Sequence, residues 1–292
     1  MTRKAWVLFA LSSVIWGIPY LFIKVAVDGG VPPAFVAWAR VALGALLLTP
    51  IALRRGAFRG LGAHKVAILA YSATEIAVPF VLISAGEQHV SSSLAAILVS
   101  TMPLMLALLS VWLHPEHRPT GWRLVGLVVG LAGVVAMLGI DVGGRPGELW
   151  GAGLILLATV GYAAAPLIIS RHLSALDPLG PVAASLIVSS LALLPAALAW
   201  PPRGWPVASA VVAIAVLGVV CTVAGLIVFF QLIAAAGPSR ASLITYVNPV
   251  VAVIVGVITL HEHVGVMSLV GLALILGGSW LAARQGGGEL AG

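Results

Sequence analysis

A carboxylate stands about ten residues into an apolar run, KVAILAYSATEIAVPFVLISAG (65–86). A charge at such depth in hydrocarbon costs roughly 2.5–3.5 kcal/mol on insertion scales. Glu75 must therefore face a cavity, carry a proton, or lock two helices as a neutral hydrogen-bonded acid. In the first two cases it suits binding an ammonium group or moving a proton. Arg40 lies inside the preceding run and Lys24 near the end of the first; each either snorkels to the surface, forms an ion pair or holds a carboxylate. Eight of the nine tryptophans fall near run ends, where interfacial anchoring explains them. Trp16 does not: it sits mid-run beside Gly17 and Pro19. Tyr20, Tyr71, Tyr162 and Tyr246 are also deep, where a hydroxyl needs a partner. Helix-to-helix hydrogen bonds would satisfy them. So would a shared cavity with aromatic walls, suited to stacking on a flat solute.

The stretch ASLITYVNPVVAVIVGV (241–257) adds an amide and a helix-breaker. Proline leaves the carbonyl of Thr245 without its helical donor. That is tolerated at membrane depth only against protein or a watery cavity. Tyr246 and Asn248, with Gln231 in the run before, are read as facing the interior; a packing kink at Pro249 is the alternative. Pro19, Pro79, Pro103 and Pro166 are read the same way, as hinges or kinks. Glu116 and Glu262, each followed by a histidine, stand at run ends and suit capping or gating contacts. The HPEH (114–117) and HEH (261–263) clusters bring no further ligand set at metal-site spacing, so neither a metal nor a cofactor is expected.

Ten apolar runs carry these residues: 5–27, 34–53, 65–86, 91–112, 121–140, 149–170, 179–200, 208–234, 240–259 and 265–283. About 20 residues at 1.5 Å each cross a hydrocarbon core of roughly 30 Å, and none of the runs alternates as barrel strands do. The expectation is an all-α integral membrane protein of ten helices with the lipid bilayer as its solvent. Composition agrees: 61% of the 292 residues are hydrophobic and 8% charged, against about 25% charged in a soluble domain. The net charge of +6 comes from short scattered clusters, not from the basic stripe that nucleic acid requires. The basic, then apolar, N-terminus lacks a small-x-small cleavage pattern and reads as a retained first helix. The lone Cys221 reads as a small packing residue.

Placing the N-terminus in the cytoplasm puts eleven Lys and Arg on the inner side and three on the outer (Lys24, Arg145 and Arg203), with Arg40 inside a helix. This asymmetry favours a multi-pass protein of the cell (inner) membrane with both termini cytoplasmic. Sliding the second half back by 146 residues lays Ser93 on Ser239, Pro103 on Pro249, Glu116 on Glu262 and His117 on His263. After one gap, LVGL at 124–127 meets LVGL at 269–272. The chain divides into repeats 1–146 and 147–292 within one compact membrane domain. Five crossings per repeat force the second to enter from the opposite face, giving the inverted repeat of many secondary transporters.

The second half, GLIVFFQLIAAAGPSRASLITYVNPVVAVIVGVITLHEHVGVMSLVGLALILGGSWLA (225–282), resembles the EamA repeat of the drug/metabolite transporter superfamily. The likeness rests on the AAAGPSRAS turn, the mid-helix Pro249, Glu262 at a helix end and the glycine-containing closing helix. The first half resembles it more loosely through Pro103, Glu116 and Gly126. Within that superfamily the chain looks most like ten-helix YddG-type exporters of aromatic amino acids. The resemblance implies two inverted five-helix repeats around a central cavity and export of small metabolites, amino acids including aromatic ones, from the cytoplasm. Exporters of cationic drugs or nucleosides in the same superfamily are the alternative. Trp16, Tyr20, Tyr71, Glu75, Tyr162, Gln231, Tyr246 and Asn248 are the candidate substrate-binding residues.

No GxxxxGK[ST] motif is present, so direct use of ATP is not expected; proton coupling and facilitated diffusion both stay open. HExxH, GxSxG and paired aspartates are absent, which argues against a membrane enzyme. Filter loops and charge rings are absent too, which argues against a channel. GLVVG at 126–130 is a small-xxx-small face for close packing within one monomer or between two; monomer and homodimer are both compatible with the sequence.

Overall fold

The computed structural model describes residues 1–113, 120–140 and 146–283. Ten helical rods account for most of them. They are α1 (Arg3–Asp28), α2 (Pro33–Arg54), α3 (Leu61–Gly86), α4 (Ser92–Val99 and Met102–Leu113) and α5 (Trp122–Ile140). The second half gives α6 (Pro146–Leu173), α7 (Leu179–Ala199), α8 (Ala208–Ala236), α9 (Ile244–Leu260) and α10 (Val266–Ala283). Eight contain stretches long and apolar enough to cross a bilayer as single helices, and α9 and α10 are shorter apolar helices. Among the described residues this is an all-helical, ten-helix membrane fold. Glu116 lies outside the described residues.

Sequence chemistry explains the interruptions. Pro19 has no N–H to donate, so α1 breaks at Ile18 and restarts at Pro19. The fourth run, read as continuous, breaks at Ser100–Thr101, whose hydroxyls turn back onto the carbonyls of Ile97 and Leu98 at 2.6 Å. Pro103 then lies in the first turn of the resumed helix, where a missing N–H does no harm. Pro249 is buried inside α9 and Pro166 lies inside α6. The run at 240–259 starts later than its apolar pattern: Pro238–Ala241 forms a separate turn of helix before α9.

Two segments follow a pattern that composition does not announce. Ser72–Ala77 in α3 and Val216–Ala224 in α8 are π-helical, as is Ile169–Leu173 at the end of α6. A slide of 146 residues places the first inside the second, so the duplication extends to local backbone geometry. Widened turns leave carbonyls in need of donors. The Ser72 carbonyl accepts from Ser189 Oγ of α7 at 3.2 Å, and the Cys221 carbonyl accepts from Trp16 Nε1 of α1 at 3.1 Å.

Small residues set the interhelical approach. A Cβ on Gly126 would stand 2.6 Å from the Gly278 carbonyl, and one on Gly133 3.0 Å from that of Gly271. The contacts run in opposite directions along α5 and α10. With the LVGL match, Gly126 corresponds to Gly271 and Gly133 to Gly278. Each contact is thus the other's image, as a pseudo-two-fold axis between antiparallel α5 and α10 requires. The small-xxx-small face joins these two helices within one chain.

Outward surfaces are apolar: Leu46, Leu53, Val66, Val135, Leu191, Leu198 and Ile258 are all exposed. Trp6, Trp122, Trp150, Trp200 and Trp205 are exposed near helix ends, where aromatic belts form.

Candidate functional site

Eight helices enclose a central cavity of about 280 Å³. Helices α5 and α10 contribute nothing to its lining; they brace the bundle from outside. The walls come from both repeats: Trp16, Pro19 and Tyr20 of α1, Arg40 of α2, Tyr71, Glu75 and Phe80 of α3, Tyr162 of α6, Cys221 and Thr222 of α8, and Thr245 and Asn248 of α9.

Glu75 sits in the π segment of α3, and Cys221 and Thr222 in that of α8. All three side chains line the cavity. Gly161 of α6 lies against the Thr74 carbonyl, where a Cβ would come within 2.7 Å. That close approach brings Tyr162 to the wall beside Glu75. Among the described residues no hydrogen bond reaches the Glu75 carboxyl, so it is not a lock between two helices.

Arg40 does not snorkel. Its Nε donates to Thr222 Oγ1 at 3.1 Å, and its guanidinium carbon lies 3.9 Å from the centroid of Phe80. A cation over an aromatic face is held by the ring quadrupole. Thr222 in turn donates to the Leu217 carbonyl, five residues back in the π ladder. Glycines allow the reach: a Cβ on Gly44 would stand 2.9 Å from Thr222 Cγ2, and one on Gly218 2.7 Å from Leu43 Cβ. Among the described residues the guanidinium makes no other hydrogen bond.

Trp16 packs on Phe229 with ring centroids 4.6 Å apart, and Gly225 lies under its edge. Asn248, oriented to satisfy its neighbours, donates through its amide to the Ile244 and Ser13 carbonyls at 2.9 and 3.2 Å. The amide therefore ties α9 to α1 while lining the cavity, and Pro249 follows it inside the bundle.

Two candidate positions fall elsewhere. Tyr246 is outside the cavity lining: α9 turns Thr245 and Asn248, three residues apart, to the interior, which swings position 246 roughly 100° away. Gln231 is exposed on the outer face of α8, one position before the fully buried Leu232. Apolar runs lack the polar stripe that would have set the facing of either helix. Tyr20 lines the cavity; Lys24 does not. Its ammonium pairs with Asp28 at 3.0 Å and donates to the Glu87 carbonyl at 2.9 Å.

At one end of the bundle Glu262 ties the end of α9 to the start of α4. After α9, His261 takes the left-handed conformation (φ 52°) and folds the chain back over Gly256. The Glu262 carboxylate then accepts from the backbone N–H of Ser92 at 2.7 Å, the N–H of Ser93 at 2.9 Å and the Ser93 hydroxyl. A carboxylate on the first N–H groups of α4 satisfies orphan donors and complements the helix dipole. From this end Ser92–Val99 packs along α9, while Met102–Leu113 leans on α5, α6 and α10. Glu87 and Phe80 are functional candidates that sequence reasoning missed. Glu87 follows the apolar run as an apparent loop residue, and nothing local marks it as buried.

Several known proteins are similar to this chain. The chain is 29% identical over 262 residues to "Uncharacterized inner membrane transporter YedA" of Escherichia coli (strain K12), covering 85% of this chain and 80% of that protein. It is 25% identical over 284 residues to an "Uncharacterized transporter" of Archaeoglobus fulgidus, covering 97% and 99%. A solved protein structure superposes with a TM-score of 0.66 at 19% identity over 97% of both chains, a likeness of fold. The model of the EamA-like transporter family matches twice, over residues 3–139 and 149–284, the two halves that the glycine contacts pair. The chain is a multi-pass membrane protein and belongs to the EamA-like transporter family.

Proposed function

We propose that this transporter exports small zwitterionic metabolites, aromatic amino acids among them, by alternating access. One observation carries the reading: a single cavity between the two repeats holds Glu75 and Arg40 among the rings of Trp16, Tyr71 and Tyr162. A carboxylate suits an ammonium group and a guanidinium suits a carboxylate. Flat aromatic walls add stacking. The volume lies near the lower end of small-ligand sites, which span roughly 300–1,000 Å³. A carboxylate alone would serve a cationic drug as well; Arg40 on the same cavity disfavours a bare cation. Both termini face the cytoplasm, which puts the Glu262 closure on the outer side and makes this an outward-closed conformation. Rocking of the repeats, with the breaks at Ile18 and Ser100–Thr101 absorbing the bend, would exchange the open face.

The test is counterflow in proteoliposomes. Labelled phenylalanine is expected to accumulate saturably against internal phenylalanine. Phenethylamine, which lacks the carboxylate, and phenylpropionate, which lacks the amine, are expected to compete at least about tenfold more weakly, since each loses one charge-assisted contact of roughly 1.5–3 kcal/mol. Glu75→Gln is expected to remove the advantage over phenylpropionate. Equal competition by all three compounds would sink the zwitterion reading, and linear unsaturable flux would sink alternating access.

A further inference from the structure

Glu87 follows α3 at the closed end of the bundle and is fully buried. Among the described residues neither of its carboxyl oxygens has a hydrogen-bond partner. Its backbone is well held: its N–H donates to the Ile83 carbonyl at 2.9 Å, and its carbonyl accepts from Lys24 Nζ. Lys24 has turned its charge to that carbonyl and to Asp28, leaving the carboxyl without a counter-ion in contact. Among the described residues, the titratable and charged groups near enough to act electrostatically on Glu87 are Tyr20, Lys24 and Asp28 from α1, Arg40 from α2, and Glu262 after α9. Helix α6 presents Gly151 and Ile155 to the adjoining Gly86. The Glu262 carboxylate is already committed to the start of α4.

An ionised carboxylate sealed from water with no donor is far costlier than a neutral acid. We propose that Glu87 is a proton-binding site of the transport cycle, loaded when the Glu262 end is open and required to be occupied for that end to close. The proposal rests on the alternating-access reading. In the open state water reaches the carboxyl and it ionises within range of the Lys24 ammonium. Closing removes the water, so the carboxyl takes up one proton from the solution at that end; no other bond changes. The closed form holds the proton more tightly than the open form. The closed population is therefore complete at low pH and is lost as pH rises, by up to about tenfold per pH unit for one linked proton.

The experiment uses purified full-length protein in detergent, so it does not depend on transport or on membrane orientation. In a Cys221→Ala background, Val90→Cys reports on the closed end, because Val90 is buried three residues from Glu87. Trp205→Cys, at a fully exposed position, gives the reference rate that cancels the titration of the thiol itself. The maleimide labelling rate at 90 relative to 205 is expected to be low at pH 5.5 and to climb toward pH 8.5. Glu87→Gln, locked neutral, is expected to stay low and flat, while Glu87→Asp keeps a climb with a moved midpoint. A flat ratio in the parent, or a climb that survives in Glu87→Gln whether or not Glu262→Gln removes it, overturns the assignment. Should Glu87→Gln not fold, an unmoved midpoint in Glu87→Asp overturns it equally. A flat ratio beside intact counterflow removes Glu87 alone; failed counterflow with the climb intact removes the substrate reading alone.

Discussion

The indole N–H of Trp16 donates to the carbonyl of Cys221 at 3.1 Å, joining the first helix of one repeat to the π segment of the other. The bond satisfies a main-chain acceptor that the widened turn exposes, and it fixes the plane of a ring that lines the cavity. Trp16→Phe should keep most of the wall and orphan the carbonyl, lowering stability by about 1–3 kcal/mol. A thermal shift in detergent reads this directly. Trp16→Ala should also weaken aromatic solutes more than aliphatic ones, by up to about tenfold, the worth of one aromatic pair. An equal loss for both solute classes in counterflow would leave the ring only a packing role.

Gly225 sits beneath that ring, and an added Cβ would come within 2.5 Å of Trp16 Nε1. Gly225→Ala is therefore expected to displace the indole and break its bond to Cys221. The change should appear as a shift in the ratio of KM for aromatic over aliphatic solutes in counterflow, because an overpacked site costs about 1–3 kcal/mol. An unchanged ratio with unchanged stability would show that the ring has room to move.

Arg40 is held by a bond from Nε to Thr222 and by the face of Phe80. Lysine cannot reproduce a planar fork with one donor committed and others free. Arg40→Lys should therefore resemble Arg40→Gln, each raising KM for phenylalanine by about tenfold or more, the worth of a charge-assisted contact. KM for phenethylamine, which has no carboxylate, should change little. Full recovery by lysine would reduce Arg40 to a source of positive potential.

Two glycines in one helix give a matched pair for stability. Gly126 meets the backbone of α10 at Gly278 and Ala282, whereas among the described residues nothing lies within 4 Å of a Cβ on Gly139. Gly126→Ala should destabilise by about 1–3 kcal/mol through overpacking. Gly139→Ala should be neutral or mildly stabilising, since it restricts the unfolded chain. Melting temperatures of the two variants in one detergent make the comparison. Equal melting temperatures would contradict the antiparallel α5–α10 seam.

Much of the architecture was legible because a bilayer imposes one rule on every segment. Backbone groups must be satisfied within the helix, so each apolar run of the right length reads as a rod. The break at Pro19 carries its own signature, and the repeat, which the family model matches twice, showed through Pro103 with Pro249. Depth along a helix was legible as well: Trp16, Tyr20, Glu75 and Asn248 all come to one cavity. Direction around a helix was not. Tyr246 and Gln231 lie at suitable depths on the wrong faces, because apolar residues surround the whole circumference and leave no stripe to read.

What the sequence by itself determined is the number of rods, their duplication and the depth of each polar group, since length and hydrophobicity act locally. The tertiary structure alone decided that α3 and α8 widen into matching π turns, that Arg40 turns inward to Thr222, and that the Glu87 carboxyl lies sealed with no hydrogen bond among the described residues. Each of these depends on what a distant helix supplies: a hydroxyl, an indole N–H, a glycine that permits approach, or nothing at all. Burial and hydrogen-bond satisfaction belong to pairs of segments, and no single segment encodes them.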